Sequence, residues 1–464
     1  MSSTLIRGGL IVTALGRYEA DVLAVDGKIV QIGAGLDVAA DHVFDARGQY
    51  VIPGGVDPHA HMKITFKGVP SADDFTAATI AAAHGGTTTV FDFAFQEFGQ
   101  PLPDAMAEWH AALAAAPPVT DVGAHLVIRD LTDPARVDEL REIPAQGVTS
   151  FKLFMAYRNQ FMVGDPAMWN TMKVAAETGA IVLVHAENGD AIDALISEAL
   201  AGGNTAPPFH GTTRPIETEA EAVTRAVMFA ELTGAKTYIV HTTCGPAIAP
   251  IVAAKMRGLP VYGETCPQYL LHDDSLLQGG DEGLKGIFSP PPRPAPAQDE
   301  LWHALAGVGL DTIGTDHCAF PYTMRLERLE EDFSKVPNGV PGIEERLELI
   351  FDRGVRAGRL TLEQWVDLCC TTPARLMGLG GRKGVIEVGA DADLVIWDPE
   401  RTRTLSVATQ KSNCDYNLYE GWQVTGTPSA VIAGGVPLVV DGALVDQPAR
   451  GFLARGPAVE AAGV

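Results

Sequence analysis

The chain is 464 residues long, 46% hydrophobic and 20% charged, with a formal net charge of −24. This length exceeds one ordinary domain unless the fold is a large barrel, and the apolar content is enough for a sizeable core. The negative charge argues against nucleic acid and anionic membranes as partners, because both bind basic surfaces. No apolar run has the length of a membrane span, and six cysteines without a CxxC pair predict reduced thiols in a cytoplasmic protein.

The two ends of the chain carry the alternating pattern of β-strands. This pattern covers residues 1–50, 389–399 and 428–445. An Asp26-Gly27 pair is typical of a two-residue hairpin turn. We predict one small β-sandwich domain built from both termini, residues 1–52 plus 385–446. The alternative is two unrelated β extensions.

The middle of the chain alternates short β-rich runs with helical, Ala-rich stretches. The β-rich runs are residues 51–61, 87–95, 121–128, 148–155, 180–187, 237–243, 261–269 and 311–320. One helix is expected within residues 71–86, with Ser71 as its N-cap, acids in its first turn and Gly at its end. Eight β-rich runs separated by helices predict the α/β class and a (β/α)8 TIM-like barrel over residues 53–384.

Histidines and one aspartate occur where several of these runs end. His59 and His61 are two residues apart, so both imidazoles point to one side of an extended strand. His185 and His241 end the fifth and sixth runs, and Asp316 lies in the eighth. Each residue alone is more often structural. Together, at the mouth where barrel strands converge, they have the composition of a hydrolytic metal site.

Lys152 lies inside the apolar stretch "TSFKLFMAY", residues 149–157, where a bare ammonium is costly. We favour condensation of its amine with carbon dioxide, because the resulting carbamate has one oxygen for each of two cations ~3.5–4 Å apart. Two other interpretations stay open. Lys152 is either part of a core salt bridge or the Schiff-base lysine of an aldolase-like barrel. The Schiff base does not account for four histidines at the same mouth.

Long segments of the chain resemble the dihydropyrimidinase/hydantoinase family of the amidohydrolase superfamily. These segments include "GGVDPHAHM", "GGTTTVFDF", "SFKLFMAY", "VHAENGDAI", "GTDHCAF" and "DYNLYEGWQVTG". The resemblance implies two divalent cations, expected to be Zn²⁺, bridged by Lys152 as N6-carboxylysine. It implies that the metal ligands besides Lys152 are His59, His61 and Asp316 for one cation, and His185 and His241 for the other.

The resemblance also implies a reaction and its substrate contacts. The family opens 5-substituted hydantoins or 5,6-dihydropyrimidines, which are small cyclic ureides, to N-carbamoyl amino acids. Asp316 would move the proton between water and leaving nitrogen, and the Tyr157 hydroxyl would stabilise the oxyanion. Tyr157, Ser289 and Asn338 match the family's substrate-contact positions.

Two lysines and the sequence after Tyr157 depart from the family pattern. Lys63 and Lys67 stand where smaller or less basic residues are usual, and "RNQF" (residues 158–161) replaces a common Lys-Gly pair. Lys63 also stands where dihydroorotases have an arginine for the substrate carboxylate. The alternatives are therefore an allantoinase, a dihydroorotase or a cyclic imidase. A metal-free scaffold is a further alternative, although such proteins have lost the ligands that this chain retains.

The C-terminal tail, residues 447–464, is expected to contact a neighbouring subunit. Family members are commonly tetramers, so the resemblance implies a homotetramer. We expect that one chain alone does not cover an apolar set near the C-terminus. This set is Tyr416, Leu418, Tyr419, Trp422, Phe452 and Leu453. The alternative is a tail folded back on its own barrel.

Overall fold

Two β-sheets organise the chain, one built from its ends and one from its middle. The structure, a computed structural model, describes residues 2–446 and 448–457. Residues 447 and 458–464 of the predicted tail therefore lie outside the described residues. None of the helices in the described part of the chain is both long and apolar enough to cross a bilayer.

The first sheet has nine strands and draws on both termini, as predicted. The strands from the N-terminal end are β1 (Ser3–Thr13), β2 (Gly16–Val25), β3 (Lys28–Gly33), β4 (His42–Asp45) and β5 (Tyr50–Pro53). Those from the C-terminal end are β16 (Leu394–Thr404), β17 (Gln423–Ala433), β18 (Val436–Val440) and β19 (Ala443–Leu444). The two ends join where β5 pairs with β16 in antiparallel fashion. Asp26 and Gly27 form the predicted turn, both with positive φ.

The second sheet is an eight-stranded parallel barrel in sequential order, which confirms the predicted fold class. Its strands are β6 (Gly55–Asp57), β9 (Thr87–Phe95), β10 (Asp121–Val127), β11 (Ser150–Phe154), β12 (Ile181–His185), β13 (Lys236–Ile239), β14 (Val261–Thr265) and β15 (Thr312–Ile313). A separate hairpin, β7 (Thr65–Phe66) and β8 (Val69–Pro70), lies beyond the first barrel strand. Most barrel strands are shorter than the predicted runs, because the runs continue into the loops at the barrel mouth.

Helices connect and cover the barrel strands. They are α1 (Phe75–His84), α2 (Leu102–Ala115), α3 (Pro134–Glu142), α4 (Asp165–Thr178), α5 (Gly189–Ala201), α6 (Pro208–Thr212), α7 (Ile216–Thr233), α8 (Gly245–Met256), α9 (Pro267–Leu271), α10 (Pro296–Ala306), α11 (Tyr322–Leu329), α12 (Arg346–Ile350), α13 (Leu362–Val366) and α14 (Thr372–Leu376). Short 3₁₀ helices occupy Ile143–Gln146, Asp274–Leu277, Gly280–Gly286 and Phe333–Lys335, and π-helical turns occupy Phe351–Arg356 and Asp367–Thr371.

Helix α1 begins later than the sequence suggested. Its N-cap is Asp74, whose carboxylate accepts a hydrogen bond from the backbone N–H of Ala77, and its first turn carries no acid. The predicted cap, Ser71, instead donates its hydroxyl to the carbonyl of Asp73. Both residues are good caps, and local sequence does not distinguish them when they stand three residues apart.

The seam between the first and last barrel strands is closed by residues that follow those strands. The backbone N–H of Asp316 donates to the carbonyl of His59 over 2.8 Å, and that of His61 donates to the carbonyl of His317 over 2.6 Å. Lower down, the buried Arg346 guanidinium donates to the carbonyl oxygens of Val56 and Ile313. The seam therefore holds the HxH segment against the Asp316 segment.

The described part of the tail, residues 448–457, lies against its own barrel. Gly451 and Leu453 exchange backbone hydrogen bonds with Val122 of β10. Tyr416, Leu418, Tyr419 and Leu453 are buried within the single chain, so the expectation that one chain leaves this apolar set uncovered is wrong for these four residues. A contact between the tail and a neighbouring subunit stays a prediction that rests on the family resemblance.

Candidate active site

One cleft at the barrel mouth contains every residue singled out from the sequence as a ligand or substrate contact. It has a volume of about 480 Å³, including the part open to solvent. The predicted residues that line it are His59, His61, Lys152, Tyr157, His185, His241, Ser289, Asp316 and Asn338.

His59, His61 and Asp316 form a compact group of potential ligands. The Nε2 atoms of His59 and His61 lie 3.2 and 3.3 Å from the Oδ1 atom of Asp316. All three side chains offer a ligand atom within 4.8 Å of the others. The buried Nε2 atom of His59 has no hydrogen-bond partner among the described residues. Two imidazoles and a carboxylate facing one point fit a divalent cation.

His185 and His241 form a second pair across the cleft. The Nδ1 atom of His185 lies 2.8 Å from the Nε2 atom of His241. Burial lowers the pKa of both imidazoles, and the neighbouring Lys152 lowers it further. Burial also places the pKa of His59 well below its ordinary value. Neutral imidazoles retain the lone pair that a metal ion requires.

Lys152 is fully buried on β11, and its amine lacks a partner. The Nζ atom makes no hydrogen bond within residues 2–446 and 448–457, and the rings of Phe93 and Phe154 lie 5.2 and 5.0 Å from it. Burial lowers the pKa of Lys152 to about 8. The structure therefore gives no support to the salt-bridge interpretation. The lowered pKa makes the neutral amine, which is the form that reacts with carbon dioxide, accessible near neutral pH.

Three of the predicted site residues have a left-handed backbone. The φ angles of Tyr157, His241 and Asp316 are 66°, 39° and 49°. Non-glycine residues adopt this region at a cost, and such residues concentrate at functional sites where the surrounding structure holds them. Each of the three follows a barrel strand, so the positive φ turns its side chain back over the mouth.

A buried carboxylate that the sequence analysis did not single out contacts one imidazole and the backbone of a second histidine. Glu264, at the fourth position of β14, accepts hydrogen bonds from the Nδ1 atom of His59 over 2.7 Å and from the backbone N–H of His241 over 3.1 Å. Tyr238 donates its hydroxyl to the other Glu264 oxygen. Gly314 must lack a side chain, because a Cβ there would lie 2.6 Å from this carboxylate. Burial raises the pKa of Glu264 to about 7.

Glu187 performs the same task for the second pair. Its Oε2 atom lies 2.8 Å from the Nε2 atom of His185 and 2.8 Å from the Arg214 guanidinium. Burial alone raises the pKa of Glu187, but Arg214 and His185 outweigh it and bring the pKa to about 2. Such acids fix the ring orientation of ligand histidines. In the sequence, Glu187 is marked by its position two residues after His185, whereas nothing in the segment around Glu264 indicates a contact with His59.

The predicted substrate contacts meet in the same cleft. The Asn338 amide nitrogen donates to the Ser289 hydroxyl over 2.7 Å and to the Tyr157 hydroxyl over 3.4 Å. Burial raises the pKa of Tyr157 to about 12, so its phenol stays protonated and remains a donor at neutral pH. The structure thus places two hydroxyl groups in the same cleft as the histidines.

Aromatic side chains complete the wall beside Tyr157. The ring of Phe161 lies 5.3 Å from those of Phe95 and Phe154, and 5.5 Å from that of Phe66. Phe66 comes from the β7–β8 hairpin and meets the Tyr157 ring edge-on. These rings form an apolar surface next to the polar side chains of the cleft.

Comparison with known proteins identifies the family of this chain. The Amidohydrolase family matches residues 50–438. The chain is 47% identical to a D-hydantoinase of Geobacillus stearothermophilus, covering 96% of this chain and 95% of that one, and 43% identical to a D-hydantoinase of Rhizobium radiobacter, covering 96% and 97%. The structure of dihydropyrimidinase from Brevibacillus agri NCHU1002 superposes with a TM-score of 0.96 at 42% identity, covering 99% and 100% of the two chains. The chain therefore belongs to the dihydropyrimidinase and hydantoinase branch of the amidohydrolase family.

Proposed function

We propose that this cyclic amidohydrolase opens the ring of 5-substituted hydantoins, 5,6-dihydropyrimidines or both, and releases N-carbamoyl amino acids. One observation carries the proposal. Four imidazoles, a carboxylate and an unpaired buried lysine line one cleft together with the hydroxyl groups of Tyr157 and Ser289. The names of the relatives support the same class of substrate.

The donor set suits two divalent cations, which we propose to be zinc. His59, His61 and Asp316 would hold one and His185 with His241 the other, while Lys152 as a carbamate would offer one oxygen to each. In carbamate formation the neutral amine bonds to the carbon of carbon dioxide and one proton is lost. When bound, the cations would polarise the amide carbonyl and activate water at neutral pH.

Side chains of the protein would carry out the proton transfer, stabilise the oxyanion and bind the ring. The Asp316 carboxylate would accept the proton of the attacking water and pass it to the leaving ring nitrogen. The Tyr157 hydroxyl would donate to the carbonyl oxygen as negative charge develops on it. Ser289 and Asn338 would hold the polar edge of the ring. Burial of the cleft walls strengthens each of these hydrogen bonds.

The aromatic wall favours an apolar substituent on the ring. Phe66, Phe95 and Phe161 would pack against it, since they line the cleft beside Tyr157. Lys63 is exposed and lies outside this cleft, in a neighbouring hollow with Arg129 and Glu97. Its position does not favour the dihydroorotase alternative, in which this side chain would bind the substrate carboxylate.

A substrate panel on zinc-reconstituted protein tests the proposal. We expect turnover of hydantoins with aryl or alkyl substituents and of dihydropyrimidines, with about two divalent metals per chain. Both enantiomers of each 5-substituted hydantoin would be assayed separately. Turnover of allantoin, dihydroorotate or cyclic imides alone would replace the proposed substrate. Full activity in protein with a metal content near zero would refute the mechanism.

We also propose a cytoplasmic homotetramer. The six free, buried cysteines suit a reducing compartment, and the assembly rests on the family resemblance. Light scattering at micromolar concentration decides the second point. A monomeric mass would refute it.

A further inference from the structure

Lys67 occupies the tip of the β7–β8 hairpin in a conformation that lysine rarely adopts. Lys67 and Gly68 are the two turn residues, with φ angles of 49° and 76°, as in a type I′ turn. Glycine, asparagine and aspartate are the usual residues of such turns. A lysine in this position implies a compensating interaction of its side chain.

The Lys67 ammonium provides that interaction. Its Nζ atom donates to the carbonyl oxygens of Ser334 and Val336 over 2.7 and 2.8 Å, and to the Oδ1 atom of Asn338 over 3.4 Å. All three acceptors are uncharged and belong to one segment, residues 334–338. Burial, followed by the nearby Arg214, lowers the pKa of Lys67 to about 7. The half-buried ammonium thus joins the hairpin to the segment that carries Asn338.

This contact fixes the orientation of the Asn338 amide. In its charged form the Lys67 amine can only donate, so it favours the orientation seen here, with the amide oxygen facing Lys67 and the amide nitrogen facing the cleft. The nitrogen then donates to the Ser289 and Tyr157 hydroxyl oxygens. Both hydroxyl oxygens accept from Asn338, and Ser289 also hydrogen-bonds to Tyr157, so Asn338 sets the positions of the two hydroxyl groups beside the cleft.

We propose that Lys67 is a positioning residue, which acts through Asn338 to present the Tyr157 and Ser289 hydroxyl groups to the ring of the substrate. The inference rests on the proposed function, since it assigns the cleft to a cyclic ureide. Lys67 does not line the cleft. Its effect on turnover is therefore indirect, through the direction of two hydrogen bonds.

Two substitutions separate this role from a contribution to folding. Lys67→Met removes the ammonium and keeps most of the stem, whereas Lys67→Gly also relieves the positive φ. Both variants should lose about tenfold in kcat with less than about threefold change in KM, because a misdirected hydroxyl fails mainly where charge develops. Lys335→Met removes an exposed ammonium from the same segment and should stay within about twofold of the unaltered protein. A kcat within about twofold in Lys67→Met and Lys67→Gly would overturn the proposal.

A double-mutant cycle with Asn338→Ala tests the path of the effect. If Lys67 acts through Asn338, Lys67→Met should cause no further loss of kcat in the Asn338→Ala background. An undiminished tenfold loss there would overturn the proposal.

Hydrogen exchange keeps the test independent of catalysis. Faster exchange of residues 333–340 in ligand-free Lys67→Met, but not in Lys335→Met, is the expected result. Absence of turnover in the unaltered protein on every cyclic ureide would refute the proposed function and not the anchoring of this segment. Unchanged exchange in Lys67→Met would refute the anchoring itself.

Discussion

Two buried lysines of this chain differ in their hydrogen-bonding partners and in the direction in which their pKa is shifted. Lys152, at the barrel mouth, has no hydrogen-bond partner among the residues described. Lys383, where the barrel meets the terminal sheet, lies 2.5 Å from Asp121, 2.5 Å from Asp393 and 3.1 Å from Asp391. Burial alone lowers the pKa of Lys383, but the three carboxylates outweigh it and hold the pKa above its ordinary value. The pKa of Lys152 is lowered instead, to about 8.

The difference separates a lysine that stabilises the fold from one for which we propose a role in metal binding. Lys383 joins three parts of the chain, because Asp121 begins β10, Asp391 and Asp393 precede β16, and Arg450 of the tail also pairs with Asp121. A paired ammonium of this kind is costly to remove. Burial of an unpaired ammonium is costly, so Lys152 lowers the stability of the fold. Matched substitutions at the two positions should have opposite consequences.

Lys152→Met should have the largest effect on activity. We expect turnover of cyclic ureides to fall below detection and the bound metal to be mostly lost, since the proposed bridging ligand is removed. The metal-free variant should be at least as stable as the metal-free unaltered protein, because an unpaired buried ammonium is replaced by an apolar chain. Metal analysis and thermal unfolding measure both outcomes.

Chemical rescue sharpens this test. Short carboxylates added to Lys152→Ala should restore part of the activity, and alkylamines of similar size should not. Rescue by amines alone would contradict the carbamate. Full activity of Lys152→Met would contradict any role of Lys152 in catalysis.

Asp316→Asn should have the next largest effect. Turnover should fall by ~10²–10⁴, the usual contribution of a general acid/base. The variant also alters a proposed ligand, so the rate is compared at equal metal content. A loss below tenfold at full metal loading would contradict the proton-transfer role.

Glu264→Gln should have an intermediate effect, because Glu264 supports His59 and the backbone of His241 without facing the substrate. Loss of its negative charge should weaken metal affinity by about 10–100-fold. Glu348→Gln is a matched control, since Glu348 is an equally buried carboxylate that pairs with Arg403 and does not line the cleft. Equal metal affinities in the two variants would contradict the support that we assign to Glu264.

The sequence predicted the barrel and the convergence of the candidate ligand residues at its mouth because both depend on local pattern. β9 (Thr87–Phe95) agrees with its predicted run to the residue, since its ends are marked by glycine and by polar residues. His59, His61 and Asp316 were expected on strands but lie two to four residues beyond them, in the closed seam. Strand pairing at the mouth depends on distant partners, and the sequence around each residue does not contain them.

The supporting residues could not be predicted for the same reason. Glu264 and His59 are separated by 205 positions, and Lys67 and Asn338 by 271. Glu264 resembles any acid within a strand until the fold places His59 beside it. In the sequence, Lys67 is only a departure from the family pattern. The geometry of the hairpin determines its partners.

Lys383→Met should have the smallest effect on activity and completes the comparison with Lys152→Met. It leaves Asp121, Asp391 and Asp393 buried or half-buried with less positive charge beside them, which should lower the free energy of unfolding by about 3–5 kcal/mol. The cleft does not include Lys383, so the specific activity of the folded variant should stay within about twofold of the unaltered protein.

Lys28→Met is the control, because Lys28 pairs with the same Asp391 over 2.6 Å from an exposed position, and surface pairs contribute about 0–1 kcal/mol. Chemical denaturation with activity assays before unfolding measures both quantities. If Lys383→Met were as stable as Lys28→Met, pairing would not be what distinguishes the two buried lysines.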